Sequence, residues 1–206
     1  MMGYRQYLTL RTTLWLWHSG CVYHILELLM VAQSKVIGKN KGYLMITDQK
    51  LNKKTKQLIA YLIDKHAVAT VTSIVKLCYL SDLVYYQTNK EQISDLQYIR
   101  WHYGPYDAKI SQYLFELVNE GVVDSEVAFT NDGNEYFRYF LKDKEYDYSL
   151  LSAKELDAIN SLLNSLVGYG AKGLIQVAYK TKPMSAIKAT IGGKEGMGLV
   201  LDLAAK

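Results

Sequence analysis

His18, Cys21 and His24 fall three residues apart and would share one face of a helix, with side chains of the types that bind transition metals. No fourth ligand follows at a recognisable spacing, so no metal site is assigned to them. His66 and His102 are the other two histidines, and neither belongs to a nucleophile, general-base or metal motif. Cys78 lies in an apolar run, where a thiol acts as a small buried hydrophobe rather than a reactive thiolate. The stretch GGKEGMG, residues 192–198, lacks both the strand–loop–helix setting and the Lys-Ser/Thr ending of a phosphate-binding loop. These residues give neither a reaction centre nor a cofactor site, and the chain is read as non-enzymatic.

Two other groups of residues carry more information. Lys76 sits among Ile74, Val75, Leu77 and Cys78, so its ammonium must snorkel to a rim, meet a carboxylate such as Asp82, or face a groove. The stretch YIRWHYGPYDAKISQYLFELVNEGVV, Tyr98 to Val123, crowds aromatic residues around a Gly-Pro pair and then runs into a helix. If its start is a strand, Tyr98, Arg100 and His102 face one side and Ile99, Trp101 and Tyr103 the other. One set belongs to the core and the other is free to bind. Aromatic rings stack on single-stranded nucleic acid, but only one Arg and one Lys lie between Tyr98 and Lys109 to meet its phosphates. The candidate binding neighbourhood is therefore Lys76, Asp82, Tyr98, Trp101, Tyr103, Gly104 and Pro105.

The elements that must position these residues follow from periodicity. Leu58, Ile59, Leu62 and Ile63 recur with helical spacing between Lys53 and His66. The stretch from Thr70 to Gln87 has a Thr or Ser to cap it and is apolar over most of its circumference, which predicts a central, buried helix. LQYIRWHYG reads as a strand ending at Gly104-Pro105, with Pro105 at a helix entry where its missing N–H costs nothing. Ile110, Tyr113, Leu114, Leu117 and Val118 form one stripe on the next helix, which Gly121 ends. Two β-rich runs around NDGN predict a hairpin. Ser152-x-x-Glu155 then opens a helix with a capping box, and a shorter helix spans residues 171–180. The fold class is α+β, predominantly helical, with a winged-helix-like core, a β-hairpin and additional C-terminal helices.

That element order raises DNA binding as an alternative, a winged-helix regulator. The charges oppose it. The third helix, from Pro105 to Glu120, has Asp107, Glu116 and Glu120 against Lys109. The hairpin has Asp124, Glu126, Asp132 and Glu135 against Arg138, and both elements would face a polyanion. The chain's net charge of +4 arises within residues 1–44, which carry five basic residues and one acid. The rest is neutral. DNA is disfavoured, and a protein partner suits eighteen tyrosines against four phenylalanines, since tyrosine is an interface residue.

Residues 1–44 differ in character from the neutral body. Their longest uncharged run, Thr12 to Leu26, is too short and too polar to span a membrane, and its interruptions argue against a signal peptide. An orderly domain begins at Met45, so the upstream stretch reads as an appended or misassigned extension. The expected organisation is an extension over 1–44, a domain over 45–190 and a flexible glycine-rich tail over 191–206. Two cysteines form no disulfide framework, which points to the cytoplasm. Oligomeric state is not legible.

Three ordered blocks resemble one family. KLCYLSD, Lys76 to Asp82, is similar to a lysine-leucine block followed by tyrosine and aspartate. The aromatic strand, Gly104-Pro105 and the following helix form the second block. LSAKEL and, later, LIQVAYKTKPM form the third, with Met184 where the family often has tryptophan. Over about residues 55–188 the chain resembles the Panacea domain family, SocA-like antitoxins. The resemblance implies a non-enzymatic module that binds and neutralises a toxin encoded beside it. One relative is described as a proteolytic adaptor, which would add a cellular protease as a partner. It does not imply which residues touch the toxin.

Overall fold

The computed structural model describes residues 51–130 and 132–205. The extension over 1–44, its His18, Cys21 and His24, and the Met45 start lie outside the described residues.

Helix α1, Lys53–Lys65, starts where the Asn52 side chain accepts from the Lys54 and Thr55 amides, and it buries Leu58, Ile59 and Leu62. Helix α2, Val71–Asn89, opens with a reciprocal capping box between Thr70 and Ser73 and closes at Lys90, whose left-handed backbone (φ 60°) ends the helix. Twelve of its nineteen residues are buried, so α2 is the central helix its apolar circumference predicts. Lys76 and Asp82 are both among the twelve.

The predicted single strand is instead a hairpin. Strand β1, Ile99–Trp101, pairs antiparallel with β2, Gly104–Tyr106, across a turn at His102 and Tyr103. Pro105 therefore lies within β2 and not at a helix entry. The cause is Gly104, whose φ of +97° reverses the chain where a side-chain-bearing residue would be strained. Helix α3, Lys109–Asn119, starts after Asp107, whose carboxylate accepts from the Lys109 amide (2.8 Å) and the Gln97 amide (2.6 Å). Ile110, Tyr113, Leu114 and Leu117 are its buried stripe, with Val118 exposed at the edge.

Strands β3, Val123–Phe129, and β4, Glu135–Leu141, form the hairpin expected around Asn-Asp-Gly-Asn. At its base Val123, Tyr139 and Leu141 face the core, and the Tyr139 amide donates to the Ala69 carbonyl. Further out on that same face Val127 and Phe137, paired across the strands, and Phe129 run past the core into solvent. Helix α4, Ala153–Ser165, opens with the predicted Ser152–Glu155 capping box. Glu155 also pairs with Lys54 of α1, at 2.5 Å. Helices α5, Ala171–Tyr179, and α6, Lys182–Ala186, complete the set, and Met184 is fully buried.

The described residues thus hold six helices and two separate two-stranded sheets, an α+β fold in which helix predominates. The likeness to a winged helix rests on the order of elements alone. No described helix is long and apolar enough to cross a membrane.

The sequence reads 191–206 as a loose tail, and the described part of it runs beside β1. The Arg100 amide donates to the Leu199 carbonyl, the Gly198 amide to the Arg100 carbonyl and the Leu201 amide to the Tyr98 carbonyl, each at 2.8 Å. Ile99 and Val200 form an antiparallel bridge.

Candidate functional site

Five of the seven candidate residues are buried and two are exposed, and the split follows strand alternation. Tyr98 and Arg100 point inward, at 2% and 0% exposure, while Trp101 is 41% and Tyr103 57% exposed.

Asp82, fully buried on α2, is the centre of the inner layer. Its carboxylate accepts from the amides of Ile93 and Ser94, both at 3.0 Å, and from the Tyr98 hydroxyl at 2.6 Å. The Ser94 hydroxyl and the Gln92 side-chain amide add two more bonds. Burial raises the Asp82 pKa, while these bonds pull the other way by favouring the anion. The chemistry is that of a clamp. One carboxylate satisfies the turning backbone that leads into β1 and fixes where Tyr98 enters the core. The Tyr98 ring packs edge-on against Tyr79, with centroids 5.2 Å apart. Tyr79 in turn donates its hydroxyl proton to Thr181 Oγ1 at 2.7 Å, because the Thr181 hydroxyl is itself donating to the Ala178 carbonyl.

Lys76, one and a half turns before Asp82, does not pair with it. Its ammonium donates to the Pro105 carbonyl at 2.8 Å and is 3% exposed. Burial, and then the nearby Arg100 charge, bring its pKa down to about 7. The lysine thus fastens α2 to β2. Gly104 completes the contact. A Cβ there would lie 3.2 Å from Tyr179 Cε2 and 3.7 Å from Lys76 Cε, so this position needs both the missing side chain and the positive φ.

Two residues of this layer escaped the sequence reading as site residues. Arg100 lies with its guanidinium 5.4 Å from the Tyr179 ring centroid. It donates to the carbonyls of Trp101, Thr190 (3.2 Å) and Gly193 (2.8 Å), meets no carboxylate among the described residues, and leaves its buried Nε without an acceptor. Tyr179 contacts Gly104 and donates to the His102 carbonyl at 3.4 Å. Strand alternation places Arg100 beside Tyr98. Tyr179 lies seventy-nine residues beyond Arg100 and had no signal of its own.

The outer layer is aromatic. Trp101 stacks at 6.5 Å and 28° on Tyr106 and meets His102 edge-on at 5.0 Å. Tyr103 stands beside them on the turn. Trp101, His102 and Tyr103 are all exposed, so the hairpin presents a compact aromatic knob on a buried polar base.

The remaining sequence candidates find no chemistry here. His66 is half-buried with Nε2 unpartnered, and burial lowers its pKa. Cys78 is fully buried and its thiol pKa is pushed well up by burial, then by Asp82. Among the described residues no group of three His, Cys, Asp or Glu side chains could hold a metal. The acidic third helix is partly neutralised within the chain, since Lys56 of α1 reaches Glu116 at 2.6 Å and Glu120 at 2.8 Å.

No curated protein and no solved structure matches the chain. A family model described as "Antitoxin SocA-like, Panacea domain" matches residues 74–183, which is just over half the chain. That span starts on α2 just before Lys76 and closes at Pro183, so it takes in Lys76, Asp82, the whole β1–β2 hairpin and Tyr179. The chain belongs to the SocA-like antitoxin, Panacea domain family.

Proposed function

We propose that this protein is a non-enzymatic antitoxin that binds and neutralises a toxin encoded beside it, and that the β1–β2 hairpin is its contact surface. The observation that carries the proposal is the hairpin's two-layer construction within the family span. Trp101 and Tyr103 lie exposed on a turn whose base is fixed by Lys76, Asp82, Tyr98, Gly104 and Pro105. Rigid aromatic side chains lose little conformational freedom on binding and recur as interface anchors. A buried base that holds them in place lowers the ordering cost further. The toxin would be held in the cytoplasm, and the bound pair could be passed to a cellular protease if the chain acts as an adaptor.

The test is growth of cells expressing the adjacent open reading frame, alone and together with this protein. Toxicity alone, rescue by the pair and co-purification are the expected outcome. A harmless neighbour, or one that this protein does not rescue, sinks the reading for that locus. Salt-sensitive binding to its own promoter would instead support the DNA-binding alternative, which the acidic hairpin disfavours.

A further inference from the structure

The β1 edge is a place where one strand can be added, and this chain fills it with its own C-terminal segment. We propose that residues 198–201 are a displaceable stand-in, and that an extended segment of the toxin polypeptide takes their place on β1. The identity of that occupant rests on the antitoxin reading, whereas the exchangeability of the strand does not.

The cover is held mainly by its backbone. Three main-chain bonds link it to Tyr98 and Arg100, and these are the bonds that any added antiparallel strand would make, whatever its sequence. Its side chains contribute little, since Leu199 is 53% and Val200 55% exposed and only Leu201 is buried. The segment before it is built to bend. Gly192, Gly196 and Gly198 all have φ between +70° and +79°, so a short glycine-rich loop, held by Arg100 at Thr190 and Gly193, delivers the strand.

The Arg100 side chain lies under the loop that leads into the strand, not under the strand itself. Its guanidinium is fully buried against carbonyls and a ring, with Nε unsatisfied and no carboxylate partner among the described residues. Its partners in the C-terminal segment, Thr190, Gly193 and Met197, all precede residues 198–201, so exchange of that strand alone leaves these contacts in place. The family span also ends at Pro183, before the segment begins, so the β1 edge belongs to the shared domain and its cover does not. The strand additionally walls an open cleft of about 370 Å³ with Tyr86, Leu96 and Tyr98, and Leu201, its one buried side chain, lines that cleft. The occupant is therefore an extended peptide with an apolar residue at the Leu201 position. It would lie beside the Trp101–Tyr103 knob and enlarge that contact.

Two measurements on the full chain test this. Hydrogen exchange of the Arg100, Gly198 and Leu201 amides should proceed together and at least tenfold faster than exchange of the α2 amides. Exchange at the α2 rate would mean that the strand opens only with the whole domain, and the proposal would be wrong. Gly198→Pro removes one cross-strand donor and forbids the φ of +78°, at a position outside the family span. A labelled peptide with the sequence of residues 190–206 should bind this variant saturably, and the unmodified chain at least tenfold more weakly. No binding to the variant, equal binding to both chains, or equal binding of a scrambled peptide overturns the idea. With a verified toxin bound, Gly198 and Leu201 should lose protection while Arg100 keeps it. Unchanged protection at all three would exclude the toxin as occupant. A failed rescue assay leaves the peptide and exchange results standing, so the two readings fail separately.

Discussion

At the scale of single residues, Lys76 shows how a charge can be placed for structure at the cost of pH sensitivity. Its folded pKa lies near 7, well below the ordinary 10.5 of the unfolded chain. Between those values the unfolded state binds more protons, so stability contributed through this group rises with pH above about 7 and falls below it toward a constant. The difference in unfolding free energy between Lys76→Met and the parent should therefore change with pH, by up to about 1.4 kcal/mol per unit. Denaturant titrations at pH 7 and 8.5 measure it, below the range where Tyr79 and Tyr98 complicate the comparison. A flat difference would show that the ammonium is not desolvated. Trp101 and Tyr103 are the opposite case. Alanine at both should lower unfolding stability by only about 1 kcal/mol, chiefly through loss of the Trp101 stacking on Tyr106. The same pair should lose toxin rescue and co-purification, which separates contact from stability.

The elements around them are held by a few local devices, and each device has a distinct cost of removal. Gly104→Ala would force an L side chain to φ +97° and a tight approach to the Tyr179 ring. A loss of about 1–3 kcal/mol is expected, with a lower midpoint in thermal unfolding. Ser152→Ala removes the acceptor for the Glu155 amide and one of that carboxylate's partners, for about 1 kcal/mol. Glu155 carries a linked pH effect. Burial raises its pKa, but Lys54 and Ser152 outweigh this and hold it below the usual value. Its stabilisation is thus present above the ordinary glutamate range and lost as pH falls through the depressed pKa. These devices also show what a sequence reveals. Ser152–Glu155, the α3 stripe and the Asn-Asp-Gly-Asn turn are local patterns and were all legible. The β1–β2 hairpin was not, because a two-residue turn with a single positive-φ glycine looks like a strand that simply stops at Gly-Pro.

For the whole molecule, long-range contacts decide what composition cannot. The C-terminal glycines read as looseness, since glycine-rich stretches lack the side chains that fix a chain. The strand they lead into pairs with a backbone edge about a hundred residues earlier, and backbone edges leave no trace in residue types. The same holds for Arg100 and Tyr179, which meet only because α5 folds back on the hairpin. Family blocks include Lys76, Asp82 and the Gly-Pro pair, which recur as short local motifs, whereas Arg100 and Tyr179 carry no such motif of their own. The division into buried and exposed residues needed the structure, because alternation gives two phases without saying which one is buried.

The outer half of the β3–β4 hairpin sets how the purified protein behaves as a colloid. Val127, Phe129 and Phe137 lie on its wet end, and among the described residues β3 hydrogen-bonds only to β4, so its far edge is bare. An apolar ribbon with an open edge is a seed for end-to-end stacking of identical molecules. Asp132 and Glu135, close to the turn, are placed as gatekeepers that keep two such ribbons apart. Asp132→Asn with Glu135→Gln should turn a clear concentrated solution turbid within hours at neutral pH, as light scattering would record, while the dilute monomer stays folded.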